Sequence, residues 1–243
     1  MQTHDIDYHS DTASLRGYLA FDESVSVRRP GVLVFHEGLG LGDFAMARAR
    51  MLAELGYVAF AADMYGDRRQ ARNLQEVAHL VGEMRNDPQM LRDRGHAALE
   101  TLSALPQVDA TRLAAIGFCF GGTVVLELAR GGADLKAVVS FHGVLTTKMP
   151  AAAGKVKASV LVCTGADDPL APPEQVRAFE DEMRAAKVKD WQVISYGNTL
   201  HGFTNPAADG SMLRTALYNA QADHRSWASM RSLFDEVLRE PVG

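Results

Sequence analysis

Gly117-Phe118-Cys119-Phe120-Gly121-Gly122 lies where one apolar run, Leu113-Ala114-Ala115-Ile116, gives way to a second, Val124-Val125-Leu126-Glu127-Leu128, and its reading decides the fold. The first run reads as a strand and the second as a helix. A tight turn between the two forces the apical residue into a strained backbone conformation, and side chains beside it would collide. Gly117 and Gly121 remove those side chains, and Gly122 lets the helix approach the sheet closely. The apical residue is Cys119. At a helix start, backbone N–H groups and the positive end of the helix dipole favour negative charge on its sulfur.

An acid and a base follow in a definite order. After the apolar run Ser159-Val-Leu-Val-Cys163 comes Thr164-Gly165-Ala166-Asp167-Asp168-Pro169, and after Trp191-Gln-Val-Ile-Ser-Tyr196 comes Leu200-His201-Gly202-Phe203. Nucleophile, acid, histidine is the chain order of α/β-hydrolases. The intervals between positions 119, 168 and 201 each hold a strand and a helix, so all three groups can meet at the carboxyl ends of parallel strands. Asp167 competes with Asp168 as the acid. Asp168 is preferred because Pro169 fixes the turn behind it, whereas Asp167 reads as a solvated turn residue.

The rest of the chain is consistent with such a sheet. Short extended segments near Ile6–Tyr8 and Leu15–Phe21 precede apolar strands at Gly31–His36, Tyr57–Asp63, Arg112–Phe118, Ala137–His142, Ser159–Thr164 and Gln192–Tyr196. Helices are predicted over Phe44–Leu55, Asn73–Arg85, Gln89–Ala104, Thr123–Arg130, Glu174–Ala186 and Met212–Leu238, with Pro88 separating the second from the third. Ala151–Lys157 reads as a loop. The expectation is an α/β-hydrolase fold, a mostly parallel sheet of about eight strands flanked by helices, as a single domain over residues 1–243.

Composition narrows the function classes. With 25 Lys and Arg against 30 Asp and Glu, the net charge of −5 and the scattered basic residues argue against nucleic-acid binding. The start, Met1-Gln-Thr-His-Asp-Ile-Asp7, lacks a basic segment followed by an apolar core, and no stretch approaches a membrane span, so a cytoplasmic address and no membrane partner are expected. The two cysteines, Cys119 and Cys163, have neither disulfide-scaffold numbers nor zinc-ligand spacing. Cys163 reads as a small buried hydrophobe. No cofactor or metal is implied.

In the predicted site, His201 takes a proton from Cys119 while Asp168 holds the imidazole tautomer. The Phe120 N–H is one oxyanion donor, and Gly38 in His36-Glu37-Gly38-Leu39-Gly40 is the candidate second. Tyr65, Phe203 and other aromatic residues border these positions in sequence and would line a partly apolar pocket, or equally be ordinary core. His142, ending the strand Ala137–His142, either lines the cavity or is structural.

The chain resembles the dienelactone hydrolase family over essentially its full length. The resemblance rests on His36-Glu37-Gly-Leu-Gly40, Asp63-Met-Tyr65-Gly66, Gly117-Phe-Cys119-Phe-Gly-Gly122, Gly165-Ala-Asp-Asp168-Pro169 and His201-Gly-Phe-Thr-Asn-Pro206. It implies hydrolysis of small-molecule esters or lactones by a cysteine nucleophile, with Glu37 hydrogen-bonded to the resting thiol and helping to switch it to thiolate. In one respect the chain departs from the pattern: Asn205 stands where dienelactone-using members carry a substrate-carboxylate arginine. Arg68, Arg69 or Arg72 would replace that cation, or would form a solvated helix start. The rival readings are a catalytically silent ligand-binding module and a thiol redox sensor, the latter without a resolving cysteine. A monomer or a homodimer is expected.

Overall fold

The computed structural model describes residues 1–11 and 13–238. Two long edge strands, β1 (Gln2–Ser10) and β2 (Ala13–Phe21), pair antiparallel. β2 then pairs antiparallel with β4 (Val58–Ala62), and from there the sheet is parallel through β3 (Arg29–Phe35), β5 (Val108–Phe118), β6 (Ala137–Phe141), β7 (Ser159–Gly165) and β8 (Trp191–Tyr196). The spatial order is β1-β2-β4-β3-β5-β6-β7-β8. The eight-stranded, mostly parallel architecture read from the sequence is therefore the one found. β4 and β6 are buried at every position, as a sheet covered on both faces requires, and this is why their sequences run continuously apolar instead of alternating.

One face carries α2 (Leu74–Asn86), α3 (Pro88–Ser103), α4 (Phe120–Gly131) and α5 (Pro173–Ala185), packed on a core that includes Leu33, Phe60, Leu99, Val125 and Val160. The other face carries α1 (Asp43–Glu54) and α6 (Ala220–Val237) over Val34, Phe118, Phe141, Phe203 and Phe234. Asp87 divides α2 from α3. Its carboxylate accepts from the Met90 N–H at 3.1 Å, and Pro88 occupies the first helical turn, where its missing N–H costs nothing.

Two sequence expectations are corrected. The last helix begins at Ala220, eight residues later than the predicted Met212, because the Asn219 side chain caps it by accepting from Ala222 N–H at 3.1 Å. The segment before it folds back on the histidine loop: His201 N–H donates to Thr215 O at 2.9 Å and Leu217 N–H to His201 O at 3.0 Å. β5 starts at Val108, earlier than the predicted Arg112. Arg29 and Pro30 pair with Val108 and Asp109, and a register shift between Pro30 and Gly31 separates this short ladder from the main one. No helix among the described residues is long and apolar enough to cross a membrane.

Candidate active site

The strand-to-helix turn puts Cys119 at φ 52° and ψ −111°, a region a non-glycine residue occupies only when its surroundings hold it there. Those surroundings are visible. A Cβ on Gly117 would overlap the Gly121 carbonyl, and one on Gly121 would overlap the Phe35 carbonyl, so the turn closes only with glycine at both places. Gly121 N–H donates to His36 O at 2.9 Å, tying the start of α4 to the end of β3. The Cys119 N–H is shared between Phe141 O at 3.0 Å and His142 Nδ1 at 3.1 Å.

His201 lies on the loop after β8, with Nδ1 2.8 Å from Asp168 Oδ2. Both side chains are buried. Asp168 sits in the turn after β7, its backbone N–H donating to Gly165 O, and its Oδ1 also accepts from Leu170 N–H at 2.8 Å. Asp167, by contrast, is exposed. Burial, the largest influence on His201, depresses its pKa. The charge on Cys119, the hydrogen bond to Asp168 and the charge on Asp168 together outweigh it and raise the pKa to about 10. With Nδ1 committed to Asp168, Nε2 is the nitrogen left for the sulfur.

His36 and His142 follow β3 and β6, the two strands that flank β5, and are both fully buried. Burial, followed by the charges of His201 and Arg48, pushes the His142 pKa well below its ordinary value, so the ring is neutral. Its Nδ1 accepts from Cys119 N–H; Nε2–H therefore donates to Thr204 Oγ1 at 2.7 Å. His36 likewise accepts from Met64 N–H at Nε2, 3.2 Å, so its Nδ1–H donates to Glu37 O, 2.6 Å. The sequence placed both histidines at strand ends, the end that carries ligand sites in such sheets. It did not show that His142 lies beneath the elbow and away from the cavity.

Glu37 is half-buried, and its pKa is raised, chiefly by the burial of its carboxyl, with the Asn205 hydrogen bond and the charges of His201 and Arg48 opposing. Its Oε2 accepts from Asn205 Nδ2 at 2.8 Å. The resemblance implies a hydrogen bond from Glu37 to the resting thiol; among the described residues the side-chain partner of Glu37 is Asn205. Gly38 and Phe120 border the same cavity, and Phe120, as the first residue of α4, has no intrahelical partner for its N–H. The loop bearing Gly38 is held by Tyr65 OH donating to Gly38 O at 2.9 Å and by Gly40 N–H donating to Glu37 O at 3.1 Å.

The cavity has a volume of about 1000 Å³ and reaches Cys119, Phe120, His201, Glu37, Gly38 and Asn205 at one end. Three expected substrate contacts do not border it. Arg68 turns away to the β1–β2 hairpin, where its guanidinium holds Asp5 at 2.6 and 3.1 Å and Gly17 O at 2.9 Å. Tyr65 stacks on Phe120 at 5.5 Å and acts on the Gly38 loop from behind. Phe203 is fully buried, edge-on to His142 at 5.1 Å. Neither Arg69 nor Arg72 reaches the cavity, and Arg72, just before α2, pairs with Glu76 in its first turn. One wall that the sequence reading left unassigned is α2, which presents Leu74, Val77, Ala78 and Val81 to the cavity. Their i, i+3, i+4, i+7 spacing was the available signal.

A cysteine on a strand–helix elbow, a buried histidine–carboxylate pair and a cavity at the carboxyl ends of parallel strands define an α/β-hydrolase. The chain belongs to the dienelactone hydrolase family, whose model matches residues 15–238. It is 27% identical to a Yersinia pestis protein named "Putative carboxymethylenebutenolidase", over 97% of this chain and 91% of that one. A solved structure of a dienelactone hydrolase-like promiscuous phosphotriesterase from metagenomic libraries is 45% identical with a TM-score of 0.92, covering 98% of this chain and 99% of its own. The fold is shared as well with a Klebsiella pneumoniae protein named "Putative Dienelactone Hydrolase", at 23% identity and a TM-score of 0.81, covering 97% and 98% of the two chains.

Proposed function

We propose that the chain hydrolyses esters or lactones of small molecules through a thioacyl intermediate on Cys119, with His201 and Asp168 completing a triad. The observation that carries this reading is the position of His201, held by Asp168 at Nδ1 and under the influence of the Cys119 charge, at one end of a large, mostly apolar cavity. Cys119 Sγ attacks the carbonyl carbon as thiolate, and the oxyanion formed takes hydrogen bonds from Phe120 N–H and Gly38 N–H. As the tetrahedral species collapses, the C–O bond breaks and the leaving alkoxide takes the proton from His201 Nε2. The now neutral imidazole accepts a proton from water; the resulting hydroxide adds to the thioester, and the thiolate leaves with release of the carboxylic acid. In a lactone the alkoxide stays tethered and the product is a hydroxy acid.

The test is pre-steady-state release of nitrophenol from an activated ester. The expected result is a burst equal to one equivalent of protein, absent in Cys119→Ala, whose turnover falls by several powers of ten while its unfolding curve stays put. Turnover retained in Cys119→Ala rejects the assignment, and binding without a burst in the native chain supports the silent ligand-binding alternative. A phosphotriester belongs in the same panel, since the 45%-identical relative is named for that activity.

A further inference from the structure

Two cations border the cavity, and neither is among the arginines that the sequence offered. Arg85 lies in the last turn of α2, and Lys148 in the loop after β6. Among the described residues neither has a carboxylate partner: Arg85 Nη2 donates to Thr146 Oγ1 at 2.9 Å and Lys148 Nζ to Asn86 Oδ1 at 2.8 Å, both neutral acceptors. A guanidinium has five N–H donors and an ammonium three, so most of their hydrogen-bonding capacity is left for a ligand. Of the acids in the lining, Glu127 is engaged by Arg92 and Arg130, Glu37 accepts from Asn205 and Asp209 from Ser211 N–H, and among the described residues none pairs with either cation.

The helix gives the distance between this cationic end and the chemistry. Val77 stands against the Gly38 loop, where a Cβ added to Gly38 would come 2.8 Å from Val77 Cγ1. Arg85 is two turns further along the same face, about 12 Å at the helical rise per residue. Between them the wall is Ala78, Val81 and Gly82, with no charged group. A ligand that reaches from Cys119 to Arg85 therefore crosses apolar surface and meets positive charge at its far end.

We propose that Arg85 and Lys148 form an anion subsite that selects substrates with a carboxylate at the end of an apolar chain remote from the reacting carbonyl. This rests on the hydrolase reading above and adds the substrate class. Asn205 contributes no cation beside the triad, so charge recognition is moved to the opposite end of the cavity.

The experiment compares two series of nitrophenyl esters matched in chain length, one ending in methyl and one in carboxylate. The ratio of kcat/KM, carboxylate over methyl, should rise with length to about tenfold or more once the chain spans about 12 Å, the worth of a charge-assisted contact in a partly solvated site. It should shrink with added salt and fall to near one in the Arg85→Met/Lys148→Met double variant. Because the ratio is taken within each protein, partial misfolding lowers both numbers and leaves it unchanged. A ratio near or below one at every length, or one that survives in the double variant, overturns the subsite. If neither series is hydrolysed, the hydrolase reading itself has failed, and the subsite is read by protection of Cys119 from iodoacetamide. A long dicarboxylate should then protect better than the diol of equal length in the native chain and no better in the double variant; equal protection by the two in the native chain overturns it.

Discussion

At the scale of single residues, the site separates two adjacent aspartates that composition treats alike. Asp168 is buried against His201 and Asp167 faces solvent. Asp168→Asn should lower kcat by about ten-thousand-fold, by analogy with the same change in a serine triad, and Asp167→Asn by less than about twofold; steady-state kinetics with the two effects reversed would reject the assignment. The raised pKa of His201 has a sign that can be followed. Because it lies above the ordinary 6.5, at about 10, the stabilisation it carries is fully present below about pH 6.5 and is lost as pH rises through about 10. Acylation that needs Nε2–H to protonate the leaving alkoxide should decline over the upper part of that window. An alkyl ester should therefore lose kcat/KM as pH approaches 10, while a nitrophenyl ester, whose leaving group needs no proton, should hold its rate. Parallel profiles for the two esters would mean that His201 is not the acid of that step.

Secondary-structure elements were legible where burial alone shaped them. The central strands are apolar without interruption because both faces are covered, and Pro88 marks the α2–α3 break by the chemistry of its ring. What failed was the boundary of α6. Residues 212–219 have helical composition, but their backbone hydrogen bonds go to the His201 loop, a pairing between segments that no local pattern encodes. The same holds for the anchoring of α4. No motif marks Glu127 in the sequence, yet its carboxylate is buried and bonded to Arg92 at 2.8 and 3.1 Å and to Arg130 at 3.1 Å. Arg130 in turn holds Glu182 of α5 at 2.8 and 2.9 Å and Leu145 O at 2.7 Å. Since Cys119 stands at the start of α4, this network fixes the elbow against two neighbouring helices. Glu127→Ala leaves the buried guanidinium of Arg130 and the partly buried one of Arg92 short of a partner and should destabilise the fold by about 3–5 kcal/mol, read as a lower midpoint in urea at unchanged m; a shift below about 1 kcal/mol would show the network to be dispensable.

Across the whole molecule, the site is assembled from positions 36–38, 119–120, 142, 168 and 201–205, so the sequence could name its members by motif but could not show what holds the segments together. Arg48 is the clearest case. It lies on α1, far from every motif, and its buried guanidinium donates to Thr204 O at 2.6 Å and to Asp223 of α6 at 2.7 Å while standing over the rings of Phe44, Phe118 and Trp227 at 5.2, 5.5 and 5.1 Å. Thr204 in turn holds His142, and His142 accepts the Cys119 N–H, so a residue on the opposite face of the sheet is linked to the elbow. Burial keeps the Asp223 pKa above its ordinary value despite Arg48, which means that the ion pair does not fully offset the desolvation of its carboxyl. Its two roles, structural pairing and anchoring of the site loop, can therefore be separated. Arg48→Met should cost about 3–5 kcal/mol because it strands Asp223, and adding Asp223→Leu should recover most of that loss, as apolar replacements of buried pairs often do. Activity should not recover with it, because Thr204 O still lacks its donor and the His142–Cys119 contact is left unanchored. Urea unfolding and kcat measured on the single and double variants decide the matter: kcat returning in step with stability would reduce Arg48 to a packing role.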